Sequence, residues 1–152
     1  MNNVASSVAG AFDLNSHGSW PNAGPVEITD SRFEDNHCDC VTYGFSASDL
    51  CGGGAIRVSH IGGDASLVKI ERNVFLRNEA RKKGSIGAYG GAIGGFDSSI
   101  IIGPGNVFTD NRAGSGDGAI SCTHQAAVGT IIDGVDPSVT FQGNSPDNGC
   151  GF

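Results

Sequence analysis

The stretch Gly90-Gly91-Ala92-Ile93, Ser99-Ile100-Ile101-Ile102, Phe108-Thr109-Asp110-Asn111 decides the fold, because its first and last tetrapeptides recur on either side of it. The opening returns as Gly53-Gly54-Ala55-Ile56, as Asp117-Gly118-Ala119-Ile120 with its first glycine replaced, and loosely as Ala9-Gly10-Ala11-Phe12. The closing Phe-x-x-Asn returns at Phe33 to Asn36, Phe75 to Asn78 and Phe141 to Asn144. Its copies lie 42, 33 and 33 residues apart. Two motifs alternating at that spacing make internal repetition the first fact about the chain.

Between the motifs run short apolar or alternating pieces: Val26-Glu27-Ile28-Thr29, Leu67-Val68-Lys69-Ile70, Ile100 to Ile102, and Thr130-Ile131-Ile132 with Val139-Thr140-Phe141. Gly, Asn, Asp and Ser interrupt them where a strand must stop, as at Gly62-Gly63-Asp64 and Gly103-Pro104-Gly105-Asn106. Helical periodicity is nearly absent. Strands this short are unstable singly, but stacking equivalent strands satisfies their backbones and builds a continuous core. The expected fold is therefore all-β, a right-handed parallel β-helix, pectate-lyase-like in its solenoid form, of about four rungs. One domain spans residues 1–152, with rungs near 8–36, 53–78, 90–111 and 117–144 and an insertion at 37–52. Val8 to Phe12 reads as the first short strand, followed by a loop from Asp13 to Gly24 in which Trp20 is placed to cover the open end.

The motif residues have structural work in this reading. Phe33, Phe75, Phe108 and Phe141 stack in a column inside the coil. Asn36, Asn78, Asn111 and Asn144 sit in tight bends, bonding backbone and tolerating a left-handed conformation. Gly53-Gly54, Gly90-Gly91 and Gly118 let the chain turn with positive φ and let Ala55-Ile56, Ala92-Ile93 and Ala119-Ile120 pack closely at a corner.

Paired Gly-Gly-Ala-Ile and Phe-x-x-Asn motifs resemble those of the chlamydial polymorphic outer membrane proteins. The match runs from about Ala9 to Asn144. The resemblance implies a β-helical passenger domain of a surface adhesin, with Gly53 to Ile56, Gly90 to Ile93, Phe75 to Asn78 and Phe108 to Asn111 as the positions implicated in adhesion. The chain departs from that family in having no C-terminal membrane barrel and only about four rungs.

Composition bounds the function. Glycine is 25 of 152 residues, about twice the ~7% average, without a Gly-X-Y period and with only 5 prolines, so the glycines serve turns rather than a collagen helix or disorder. A formal net charge of −7 argues against nucleic acid as a partner. Six of the nine bases nevertheless fall between Lys69 and Lys83, most simply as a solvated loop and otherwise as a patch for an acidic glycan. No run reaches the ~18 apolar residues of a membrane helix, and no signal peptide is visible. With the resemblance, the expected location is extracellular or at the cell surface.

Of the five cysteines, Cys38, Cys40 and Cys51 lie close together, so a loop staple from Cys51 to Cys38 or Cys40 is sterically reasonable in an oxidising compartment. His37 beside them raises zinc, but Cys-x-Cys lacks the usual knuckle spacing and no second ligand pair follows. No metal or other cofactor is expected, Ca²⁺ being the alternative kept open.

Parallel β-helices often act on acidic polysaccharides through Asp pairs or Ca²⁺ and a Lys, Arg, His or Tyr base. The candidates are Asp110 with Asp117, Arg112, His124, and the group Arg81, Lys82, Lys83 and Tyr89, of which Asp117 and His124 are the catalytic ones. Their grouping is loose, and the remaining histidines His17, His37 and His60 lie beside turns or loops. The sequence therefore reads as a non-catalytic β-helix module with a structural or adhesive role. It is expected to be part of a larger surface protein or assembly, with protein partners or further copies at its open ends. A small polysaccharide lyase or epimerase is the second reading, and a subunit of a larger complex the third.

Overall fold

In a computed structural model of the chain, residues 4–5, 9–15, 25–40, 51–59, 68–83, 87–96, 98–122 and 131–149 are described. Among them the regular structure is all strand, in four tiers. The first tier holds β1 (Val4–Ala5), β2 (Phe12–Asn15), β3 (Val26–Thr29) and β4 (Arg32–Glu34). In the second are β5 (His37–Cys40), β6 (Cys51–Gly52), β7 (Ile56–Ser59), β8 (Val68–Glu71) and β9 (Val74–Leu76). The third comprises β10 (Glu79–Lys82), β11 (Ala88–Tyr89), β12 (Ile93–Phe96), β13 (Ser99–Ile102) and β14 (Val107–Thr109). β15 (Arg112–Ala113), β16 (Ile120–Cys122), β17 (Ile131–Val135) and β18 (Thr140–Gln142) make the fourth.

Each strand pairs with its equivalent in the next tier. Four sheets result, ordered β1-β5-β10-β15, β2-β7-β12-β16, β3-β8-β13-β17 and β4-β9-β14-β18, with the two-stranded sheet β6-β11 beside them. Every strand pairing is parallel. The chain thus visits the four large sheets in one fixed cyclic order. Strands of two to five residues bury too little to persist singly, and only the pairing between tiers supplies partners for their N–H and C=O groups.

Alternation along each strand sends one set of side chains inward. Ile56 and Val58 on β7, Ile93 on β12 and Ile120 on β16 meet Val68 and Ile70 on β8, Ile100 and Ile102 on β13, and Phe75 and Phe108 in one core. Three of the four large sheets therefore share a single apolar interior, worth about 1.5–3 kcal/mol for each large side chain fully buried. A second, smaller core of Cys38, Cys40, Ala80 and Ala88 lies behind the sheet of β5 and β10.

The four phenylalanines form one column. Ring centroids are 5.0 Å apart from Phe33 to Phe75, 4.7 Å from Phe75 to Phe108 and 5.2 Å from Phe108 to Phe141, with interplanar angles of 6°, 3° and 14°. Beside it runs an asparagine ladder. Nδ2 of Asn36 donates to Oδ1 of Asn78, Asn78 to Asn111 and Asn111 to Asn144, at 2.9, 3.0 and 3.0 Å. A second ladder, one bend earlier, links the Ser31 backbone N–H to Oδ1 of Asn73 and Asn73 to Asn106.

Several sequence expectations need correcting. The left-handed residue of each bend is not the asparagine but the one before it: Asp35 (φ 54°), Arg77 (φ 52°), Asp110 (φ 54°) and Gly143 (φ 65°). Asn itself is held by its side-chain bonds. The first strand of the β2 sheet is Phe12–Asn15, so the expected strand at Val8 to Phe12 begins only at Phe12 among the described residues and Asp13 to Asn15, expected in a loop, are strand; the Ala9-Gly10-Ala11 corner precedes it as in the later tiers, and Phe12 pairs with Ile56 and Leu14 with Val58. The stretch 37–52 read as an insertion has strands at both ends, β5 and β6, since Cys38 and Cys40 alternate inward. The basic run Lys69 to Lys83 is not a loop: it runs through β8, β9 and β10 and the bends after them, where Arg72, Arg77 and Lys83 face Asp30, Asp35 and Asp39 of the tier before, while Lys69 and Arg81 pair with Glu71 and Glu79 of their own strands. His37 is a half-buried strand residue of β5 rather than a loop residue.

Candidate functional site

The two sequence motifs touch. Behind each residue that follows a ladder asparagine sits the second glycine of a Gly-Gly-Ala-Ile corner or its equivalent: Gly10 behind His37, Gly54 behind Glu79, Gly91 behind Arg112 and Gly118 behind Ser145. A Cβ on Gly54 would lie 2.5 Å from the Glu79 backbone nitrogen, and one on Gly91 2.5 Å from that of Arg112. Only glycine allows that approach. It sets His37, Glu79, Arg112 and Ser145 in register on the outer face: β10 pairs Glu79 with His37 and with Arg112, and Arg112 bridges to Ser145. Their inward neighbours Cys38 and Ala80 are fully buried.

Three members of this column, Glu79, Arg112 and Ser145, line an open trough of about 670 Å³ together with Arg81, Lys82, Ala113 and Gly114. Gly114 passes so close to Lys82 that a side chain there would meet the Lys82 Cβ at 2.7 Å, which keeps this wall low. The ion pairs are uneven. Arg81 holds Glu79 at 2.6 Å and stands 4.0 Å from Asp39; Lys83, just outside, takes Asp39 at 2.5 Å. The Lys83 ammonium holds the Asp39 carboxyl below the usual range. Lys82 and Arg112 are exposed and make no salt bridge among the described residues. The trough is therefore polar, with two uncompensated cations beside a neutralised Glu79–Arg81 pair.

The structure sorts the sequence candidates. It brings Arg81, Lys82 and Arg112 together and leaves Lys83 at the rim with Asp39. Asp110 occupies a bend at φ 54°, and its backbone N–H donates to Gln142. Asp117 stands at φ 58° in the corner position that Gly53 (φ 79°) and Gly90 (φ 63°) fill in earlier tiers. Burial pushes its carboxyl above the ordinary value, opposed by a hydrogen bond with Ser121. Tyr89 pairs with Gly116 in the β6-β11 region, and its ring packs on Gly116. None of these three lines the trough. His124 lies outside the described residues, as do His17, His60 and the Trp20 segment. No group of three or more His, Cys, Asp or Glu arranged for a metal occurs among the described residues.

Cys40 is disulfide-bonded. Cys38 is a buried thiol whose pKa is pushed up to about 12, first by burial and then by the Asp39 charge. The first-tier end offers a different surface. Phe12 is 47% exposed, the one large hydrophobic so exposed among the described residues, and with Ile28 and Phe33 it lines a hollow of about 290 Å³.

The residues of the trough were legible in one respect that the motif reading passed over: each column member is the first residue after a Phe-x-x-Asn. His, Glu, Arg and Ser share no chemistry, so no repeat was visible there. No family model, no curated protein and no solved structure matches this chain. Among the described residues no helix is long and apolar enough to cross a membrane.

Proposed function

We propose that the four sheets wrap into a right-handed parallel β-helix of about four rungs, and that this coil is a non-catalytic module with a structural or adhesive role in a larger surface protein or assembly. The contact of each corner glycine with the strand after the following Phe-x-x-Asn supports closure of the coil, because it joins the β2-sheet corner to the sheet of β5 and β10 in every tier. The resemblance to chlamydial polymorphic outer membrane proteins is part of the same proposal.

One observation carries the non-catalytic reading. The recurring side chains are spent on one another: Phe75 and Phe108 are fully buried in the column, and Asn78 and Asn111 are fully buried in the ladder. Asp117, the described catalytic candidate, stands in a glycine-type corner and outside the trough. The exposed Phe12 end supports a partner there, either more chain or another protein, since an uncovered strand edge with apolar side chains favours association.

The deciding experiment is incubation with polygalacturonate and alginate, reading new reducing ends and unsaturated product for a lyase and inverted uronate C5 for an epimerase. No turnover is expected. Product formation that disappears in Asp117→Asn or His124→Gln would replace this reading with a lyase or epimerase.

A further inference from the structure

We propose that the trough between β10 and β15 binds a sugar acid, the carboxylate of an acidic oligosaccharide seated between Lys82 and Arg112. The inference deepens the adhesive reading by naming the ligand class, and rests on it.

Four features point to this chemistry. Arg112 presents a planar guanidinium, which matches a carboxylate with two parallel hydrogen bonds, and Lys82 adds a mobile point charge. Both are exposed and without a carboxylate within salt-bridge distance among the described residues, so a ligand acid displaces no internal partner. Around them the Glu79–Arg81 pair and the Ser145 hydroxyl offer acceptors and donors suited to sugar hydroxyls rather than to an apolar ligand. At about 670 Å³ the trough is in the range of small-ligand sites, and it is open to solvent.

The alternatives fit less well. A nucleic-acid strand would call for aromatic platforms on which bases stack, and no aromatic side chain lines the trough. A densely charged polymer running beyond it would meet a protein of formal charge −7, whose residues after Arg112 include no lysine or arginine. A short acidic oligosaccharide, with hydroxyls beside its carboxylates, matches both the polar lining and the small number of cations.

The test is isothermal titration of the full chain with short oligogalacturonides, beside the same oligomers fully methyl-esterified and an oligothymidylate of equal charge. The acid form should bind, the ester should not, and added salt should weaken the binding. Affinity should fall about tenfold or more in the Lys82→Gln/Arg112→Gln protein, which lacks both charge-assisted donors. It should persist in Lys82→Arg, and in Lys69→Gln, whose lysine pairs with Glu71 at 2.8 Å outside the trough. Equal binding of the ester, equal binding of the oligothymidylate, undiminished binding by the double variant or no binding of the acid form would each overturn the proposal. Lost binding by a double variant that also melts lower counts for it only if Lys82→Arg, melting as the parent, still binds; otherwise it counts against. Such a failure is separate from that of the non-catalytic reading, which turnover decides.

Discussion

Asn78 donates to Oδ1 of Asn111 twice, through its side-chain Nδ2 at 3.0 Å and its backbone N–H at 2.9 Å. Its own Oδ1 accepts the backbone N–H and the Nδ2 of Asn36 at 3.2 and 2.9 Å, and its Nδ2 also donates to the Phe33 carbonyl at 3.0 Å. One buried amide therefore bonds groups in the tier before it and the tier after it. Replacing it with Ala removes the acceptor of a buried N–H and the donor of a carbonyl, each costing about 1–3 kcal/mol. Asn78→Ala should lose roughly 3–5 kcal/mol in urea unfolding. Asn78→Asp, the same shape with no donor, should do no better, because it sets an acceptor against the Phe33 carbonyl and Asn111 Oδ1. Recovery of stability in the Asp protein would show that shape, not hydrogen bonding, is what the ladder needs.

Asp117 gives a prediction of opposite sign. Its φ of 58° belongs to a region that costs an L-residue about 1–2 kcal/mol and glycine little. Burial also disfavours its charged form. Asp117→Gly, which restores the residue found at Gly53 and Gly90, should leave stability unchanged or raise it by about 1 kcal/mol, the lost Ser121 hydrogen bond offsetting part of the gain. Asp117→Val should lose about 1–3 kcal/mol, since a β-branched residue tolerates that backbone worst. A stability loss in the glycine protein would give the carboxylate a role the corner does not explain.

The phenylalanine column and the glycine corners were readable because an inward position tolerates few side chains, so the same letters return at each pass. Where a position faces outward or is fixed by backbone alone, the letters vary. Asp35, Arg77, Asp110 and Gly143 share one left-handed φ but no common side-chain type, and the trough column His37, Glu79, Arg112, Ser145 shares one register and no side-chain type. The second ladder was missed because it is broken: Asn73 and Asn106 each precede Val-Phe, but Ser31 stands in the first tier and Val139 near that place in the fourth. The basic run misled because charge was read along the chain, whereas Arg72 and Arg77 answer Asp30 and Asp35, 42 residues away.

The column should show graded costs along its length. Phe75 and Phe108 have rings on both faces and no exposure, whereas Phe33 and Phe141 end the column and are partly exposed. Truncation of a buried Phe to Ala costs about 3–5 kcal/mol, to which lost ring stacking belongs. Phe108→Ala should fall in that range and Phe141→Ala clearly below it, both measured as midpoint shifts in urea at unchanged slope. Equal losses at the two positions would mean that the column end is covered in solution.

Acid should unfold the protein partly through Glu34. Its carboxyl accepts Arg32 Nε at 2.7 Å and Arg77 Nη2 at 2.6 Å, and these bonds lower its pKa from 4.5 to about 2. A carboxyl depressed in the folded state binds its proton more readily when unfolded, so its contribution is complete above pH 4.5 and is lost as pH falls from there towards 2. Asp30 and Asp35, bonded to Arg72 and Arg77, shift in the same direction. All three lie at the surface, so the effect is screened and should shrink in 1 M salt, where the Debye length is about 3 Å. Arg77→Gln removes one of the two donors to Glu34 and the main donor to Asp35, and should flatten the fall in urea midpoint across that window while Arg32 still holds Glu34 in part. An acid limb as steep in Arg77→Gln as in the parent would assign the pH dependence to other carboxyls.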